Sequence, residues 1–243
     1  MLERFSAFAE AGGGGNPAGV WTGEALPDPV EMQRIAAEVG FSETAFAAPS
    51  AGFTRTVRYF SPEAEVAFCG HATIALGVAL GSSHGVGTYR LLTAVGEVPV
   101  VVRRHEGRLE AALMSVEPHH EPAPEGLLTA VLATLGWHRN ELDAAIPPVR
   151  AYAGVWHLVI AVARRERLAT LDYDFAALKA LMLAEGLTTL QLIWREGPEL
   201  YHARDPFPVG GVVEDPATGA AAAARGGSQR AGRRGTPPVP LTL

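Results

Sequence analysis

Two segments far apart in the 243-residue chain carry the same device, a glycine opening a run of very small residues: Phe68-Cys69-Gly70-His71-Ala72-Thr73 and Glu214-Asp215-Pro216-Ala217-Thr218-Gly219-Ala220-Ala221. A helix of such residues lets other backbone approach closely, and its first amides, unobstructed by bulky side chains, can donate to an anion. The repetition predicts two lobes, each with one helix start of this kind; on spacing alone, two tightly packed core helices read equally well. If both starts line one cleft, the amides that follow Gly70 and Gly219, among them those of His71, Ala72 and Ala220, hold a substrate carboxylate without lysine or arginine.

Composition narrows the partner. Hydrophobic residues are 48% and charged residues 19% of the chain, which excludes disordered, collagen-like and coiled-coil classes. A formal net charge of −6 offers no positive field to phosphates, so no nucleic-acid partner is expected and a small molecule fits better. The single cysteine, Cys69, allows no intrachain disulfide and no cysteine-rich zinc site, in keeping with a cytoplasmic location. Met1 to Phe8 shows no secretory pattern, and the most apolar stretch, Val66 to Leu80, is too short and too polar to span a bilayer.

Along the chain, short β-like runs alternate with short helices, an α+β pattern. Strands are expected at 3–8, 43–48, 53–60, 88–94, 98–103, 109–116, 156–163, 189–195 and 200–203. Helices are expected from Pro29, behind the cap Asp28, to Gly40, and at 70–80, 125–135 and 175–185. Gly12 to Gly19 reads as a loop around Asn16-Pro17. The polar, proline-rich stretch 117–124 reads as a linker dividing an N-terminal lobe, 1–117, from a C-terminal lobe, 118–224. Residues 225–243 carry Arg225, Arg230, Arg233 and Arg234 with glycines and prolines and read as an irregular basic tail.

Candidate chemistry gathers near the two glycines. His71 offers a group that can donate or accept, and Asp215 reads as the cap of the second helix. Glu43, in Phe41-Ser42-Glu43-Thr44-Ala45-Phe46, is expected to be pressed between Phe41 and Phe46. Desolvation there raises a carboxylate pKa toward the range in which one group both takes and returns a proton. Gly12-Gly13-Gly14-Gly15 lacks the endings of a phosphate loop, and adjacent side chains such as His119-His120 rarely converge on one ion, so a solvated linker and no metal site are expected.

Together these blocks resemble the phenazine-biosynthesis isomerase (PhzF) family, whose fold is similar to that of diaminopimelate epimerase. The resemblance rests on Gly15-Asn16-Pro17-Ala18-Gly19-Val20, Phe41 to Phe46, Arg58-Tyr59-Phe60-Ser61-Pro62, Glu65 to Thr73 and Glu214 to Gly219, in the family's order. It implies two similar lobes, each a curled β-sheet around a central helix, usually in a homodimer, with no cofactor. By the same resemblance Glu43 falls on the catalytic acid/base and His71 and Asp215 on the substrate-contacting polar pair. Gly70 and Gly219 fall on the glycines of the two helix starts, and Asn16 on the loop beside the cleft. Ala220 stands where the family commonly has serine, and the basic tail replaces the strands that usually close the second lobe.

In diaminopimelate epimerase two cysteines stand at the two helix starts; here Cys69 is at the first and Thr218 at the second. Threonine is far too weak a base, which disfavours two-thiol racemisation and leaves a one-sided proton shift by Glu43. The expectation is therefore a cofactor-independent isomerase acting on a small carboxylate-bearing substrate. An amino-acid racemase or epimerase of the same fold and a non-catalytic binding relative are the alternatives.

Overall fold

The computed structural model describes residues 1–9, 13–114, 116–198 and 200–219. Two compact units divide the chain, Met1–Val116 and the remainder from Glu117. The first comprises β1 (Leu2–Ala7), β2 (Asn16–Thr22), α1 (Pro29–Val39), β3 (Glu43–Pro49), β4 (Thr54–Phe60), β5 (Glu65–Val66), α2 (Gly70–His84), β6 (Gly87–Thr93), β7 (Gly96–His105) and β8 (Arg108–Leu113). Its sheet runs β1-β2-β3-β4-β6-β7-β8, with β5 hydrogen-bonded to β4. Only β2 with β3 and β4 with β6 are parallel, and each pair is joined through a helix, α1 or α2, as a parallel pair requires.

Local chemistry fixes both helices. Asp28 accepts from the Glu31 amide at 2.9 Å, Pro29 opens α1, and Gly40 closes it in the left-handed region, φ 71°. Met32 and Ala36 on α1 then pack with Phe46 and Phe60 of the sheet. Helix α2 is buried on nearly every side and touches β1, β2, β3, β7 and β8, so strands from both ends of the sheet curl around it. Small residues permit that embrace: a Cβ on Gly77 would stand 2.8 Å from Val100 Cγ1, and one on Gly81 2.5 Å from Val102 Cγ1. The helix continues to His84 instead of stopping at Leu80, because Gly81 serves close packing here and Ser83 Oγ bonds back to the Ala79 carbonyl.

The second unit comprises β9 (His119–Pro122), α3 (Glu125–Leu135), β10 (Val149–Tyr152), β11 (Trp156–Val162), α4 (Arg165–Ala169), α5 (Phe175–Ala184), β12 (Leu187–Arg195), β13 (Tyr201–Pro206) and β14 (Glu214–Asp215). Its sheet runs β14-β13-β12-β11-β10-β9, with β11 and β12 parallel across the α4–α5 connection. Leu158, Ile160, Leu190 and Leu192 on one face meet Leu127, Val131, Leu178 and Met182 of α3 and α5. The other face carries Val159, Ala161 and Ile193. Strand alternation sets His157, Thr189 and Gln191 on that same face.

Two sequence expectations are corrected. Residues 16–19 are not loop but the head of β2, and the supposed linker contains β9, which pairs with β10. The helix expected after Gly219 and the tail at 225–243 lie outside the described residues.

Candidate active site

Glu43 opens β3, and its carboxylate is withdrawn from solvent: the residue is 5% exposed. Its surroundings differ from those expected. Alternation along the strand points Phe46 to the opposite face, where it packs with Phe60 and α1. What covers Glu43 instead is the start of α2, with Glu43 Oε2 3.7 Å from His71 Nε2. Ser42 Oγ lies 3.5 Å from that nitrogen, and Cys69 Sγ lies 3.2 Å from Nδ1 on the other side of the imidazole. His71 is 1% exposed and Cys69 5%, so carboxylate, imidazole and thiol form one buried group. One donor atom from each lies within 4.8 Å of those of the other two.

The helix start beside this group is held by its own chain of hydrogen bonds. Tyr59 OH donates to Thr73 Oγ1 at 2.6 Å, and Thr73 Oγ1 donates to the Cys69 carbonyl at 2.6 Å. Burial pushes the Tyr59 phenol well above its ordinary pKa, which keeps it a neutral donor. Cys69 occupies the N-cap position in extended conformation, and its own side chain makes no cap hydrogen bond. The amides of Gly70, His71 and Ala72 therefore have no acceptor within the helix and lie at its positive pole. Asn16, fully buried, precedes by two residues Ala18, the strand partner of Glu43, so Asn16 and Glu43 share one face of neighbouring strands.

The second unit holds another buried polar group. Asp215 lies in β14, not at a helix cap, and its Oδ2 accepts from Thr218 Oγ1 at 2.6 Å. It pairs across the strands with Asp205. Burial, with Asp215 close by, holds the Asp205 carboxyl well above the usual carboxylate range, while the Thr218 backbone amide works against that shift. His157 Nδ1 meets Thr189 Oγ1 at 2.7 Å, and burial lowers its pKa to about 3, only partly offset by Asp215, so the ring is neutral. Among the described residues, His157 Nε2 and Asp205 Oδ1 are buried without a hydrogen-bond partner. Sequence reading missed Asp205, His157 and Thr189. The available signal was a polar residue at inward-facing positions of otherwise apolar strand runs.

The expected site residues thus fall into two sets. Asn16, Glu43, Gly70, His71 and Ala72 belong to the first unit, and Asp215 and Gly219 to the second. Ala220 lies outside the described residues.

Comparison with known proteins identifies the family. Residues 5–229 match the phenazine biosynthesis-like protein family, PhzC-PhzF. An uncharacterized isomerase of Bacillus subtilis, YfhB, is 29% identical over 92% of this chain and 78% of its own length. The trans-2,3-dihydro-3-hydroxyanthranilate isomerase of Pseudomonas fluorescens is 31% identical over 89% of this chain and 74% of its own. A crystal structure of a Bacillus anthracis phenazine biosynthesis protein of the PhzF family superposes with TM-score 0.75 at 26% identity, covering 93% of this chain and 78% of that one. The fold also extends to a protein of Agrobacterium radiobacter described as a probable proline racemase, with TM-score 0.68 at 15% identity over 97% of this chain and 78% of the other. Among the described residues no helix is long and apolar enough to cross a membrane.

Proposed function

The chain belongs to the phenazine biosynthesis-like family and is an isomerase, and from that premise we propose that it shifts a proton within a small carboxylate-bearing substrate, with Glu43 as the group that takes and returns it. The observation that carries the reading is the placement of the Glu43 carboxylate: buried, 3.7 Å from His71 Nε2, beside the amide-lined start of α2. A carboxylate shielded from water is a stronger base toward carbon than a solvated one, and a single carboxyl can release at a second position what it removed from the first. Negative charge developing on the substrate carboxylate is met by the amides of His71 and Ala72 and by the His71 ring. Gly70 keeps the approach to those amides open, and Asn16 supplies a polar contact on the same face. The active species is a homodimer in the cytoplasm and needs no cofactor.

The conjugated acid trans-2,3-dihydro-3-hydroxyanthranilate, substrate of the Pseudomonas fluorescens relative, is the first probe. In D₂O the wild-type chain is expected to isomerise it with deuterium incorporation, and Glu43→Gln to lose roughly 10²–10⁴-fold in rate while still binding the acid. Full activity in Glu43→Gln would reject the role of Glu43. A second reading, epimerisation, is favoured by one contact, Cys69 Sγ to His71 Nδ1, which gives the site a second proton-bearing group. Exchange of an amino-acid α-hydrogen with inversion, abolished in Cys69→Ala, would favour it over the one-sided shift.

A further inference from the structure

The two nitrogens of His71 meet different partners, and we propose that Cys69 is a positioning residue for the proton transfer: its S–H, bonded to Nδ1, keeps the ring neutral with its single N–H proton on Nε2, turned toward Glu43. Cys69 Sγ lies 3.2 Å from Nδ1, while Nε2 has Glu43 Oε2 at 3.7 Å and Ser42 Oγ at 3.5 Å. A neutral imidazole carries a proton on one nitrogen and a lone pair on the other, and the neighbours decide which. An ionised carboxylate only accepts, so a lone pair on Nε2 would face an anion inside a buried group, and a proton there relieves the repulsion. Nδ1 is then the acceptor, and the thiol is a donor that fits it. Passing the thiol proton on to Nδ1 would create a thiolate and an imidazolium away from water. Burial opposes that separation of charge, since Cys69 is 5% and His71 1% exposed.

The remaining elements around the head of α2 leave Glu43 as the charge to which the ring responds. From β4 comes Tyr59, kept a neutral phenol by burial and bonded to Thr73, and from β2 comes Asn16, polar and uncharged, with Ala7 of β1 as its strand partner. Strands β7 and β8 meet α2 further along, through Val100, Val102, Leu109 and Ala111. The consequence for catalysis rests on the reading of Glu43 as the proton carrier. An imidazolium beside that carboxylate would make it a weaker base, because a nearby cation favours the ionised form. A neutral ring leaves the base strength intact. Its Nε2–H is also a donor for a substrate oxygen that gains negative charge as Glu43 takes the proton.

The first tests use the reduced full chain without substrate. Cys69 is the single cysteine, so the S–H stretching band in the Raman spectrum reports it alone. At neutral pH that band is expected to be present and lowered in frequency relative to a thiol with no acceptor. In nitrogen NMR of isotope-labelled histidine, with His71 assigned by comparison with His71→Gln, Nε2 is expected to carry the proton and Nδ1 the lone pair. In Cys69→Ala the ring loses a donor to its neutral form, and its titration midpoint should rise by about 0.5–1 pH unit. Where the probe acid is turned over, the acid limb of kcat/KM should move upward with it. A missing or unshifted S–H band, an imidazolium or an Nδ1–H ring at neutral pH, or an unmoved midpoint in Cys69→Ala would overturn the proposal. An acid limb that stays in place while the ring midpoint moves would overturn it too. If Cys69→Ala does not fold, the two wild-type spectra decide the matter. The proposed isomerisation fails separately: full activity in Glu43→Gln rejects the proton carrier while the spectra stand, and an Nδ1–H ring in an enzyme that Glu43→Gln inactivates rejects the positioning role alone.

Discussion

Strand alternation decides what surrounds Glu43, and it shows how far residue-level reading reaches. The types and spacing in Phe41 to Phe46 singled out the glutamate and suggested its burial, but Phe46, one of the two neighbours named for it, packs elsewhere. Phe46, three positions along β3, faces α1, and the covering group is His71, 28 residues away in sequence. A local window cannot supply that partner, because the contact exists only once α2 lies inside the curled sheet. The same geometry makes Tyr59 and Thr73 supports of the site. Thr73→Val would leave a buried phenol with no acceptor at Thr73 and is expected to destabilise the chain by about 1–3 kcal/mol, with Thr73→Ser close to wild type. Chemical denaturation at fixed pH measures both.

At the scale of elements, glycine has opposite meanings in two helices. In α2 a Cβ on Gly77 would meet Val100 Cγ1 at 2.8 Å and Ala111 Cβ at 2.9 Å, whereas one on Gly126 in α3 would meet nothing within 4 Å. Gly77→Ala should therefore cost about 1–3 kcal/mol through overpacking, while Gly126→Ala should gain up to about 1 kcal/mol from helix propensity. Urea midpoints of the two variants are expected to move in opposite directions. Helices α1 and α3 were legible because caps and apolar spacing agree. Strands β2 and β9 were not, because each contains proline. Pro17 sits before the β2–β3 ladder begins at Ala18, and β9 is the last strand of its sheet, both places where a missing N–H is tolerated. Sequence alone does not distinguish such a strand from a loop.

For the whole molecule, two buried groups give stability opposite pH slopes. His157, held near 3 against an ordinary 6.5, stays neutral in the fold while the unfolded chain takes up a proton, so stability falls as pH drops from about 6.5 toward 3. Asp205, raised well above 3.8, contributes most below its unfolded pKa, and that contribution is lost as pH rises toward its folded pKa. Unfolding free energies across this range should show His157→Gln with a flatter acid limb and Asp205→Asn with a smaller loss of stability toward neutral pH; an unchanged profile in either variant would contradict its assigned sign. The two-lobed class was readable from ordered motifs spread along the chain. The partners of Asp215 in the second polar group were not, since they come from β11, β12 and β13 and meet only through sheet register. One feature of the first unit reaches beyond its own helix. Because α2 opens at a cysteine whose side chain makes no cap hydrogen bond, a carboxylate bound at its amides would add an acceptor to the first turn, and occupancy would be felt as resistance to heat. A panel of small organic acids ranked by the rise in melting temperature is therefore a route to the natural substrate that requires no prior guess at the reaction.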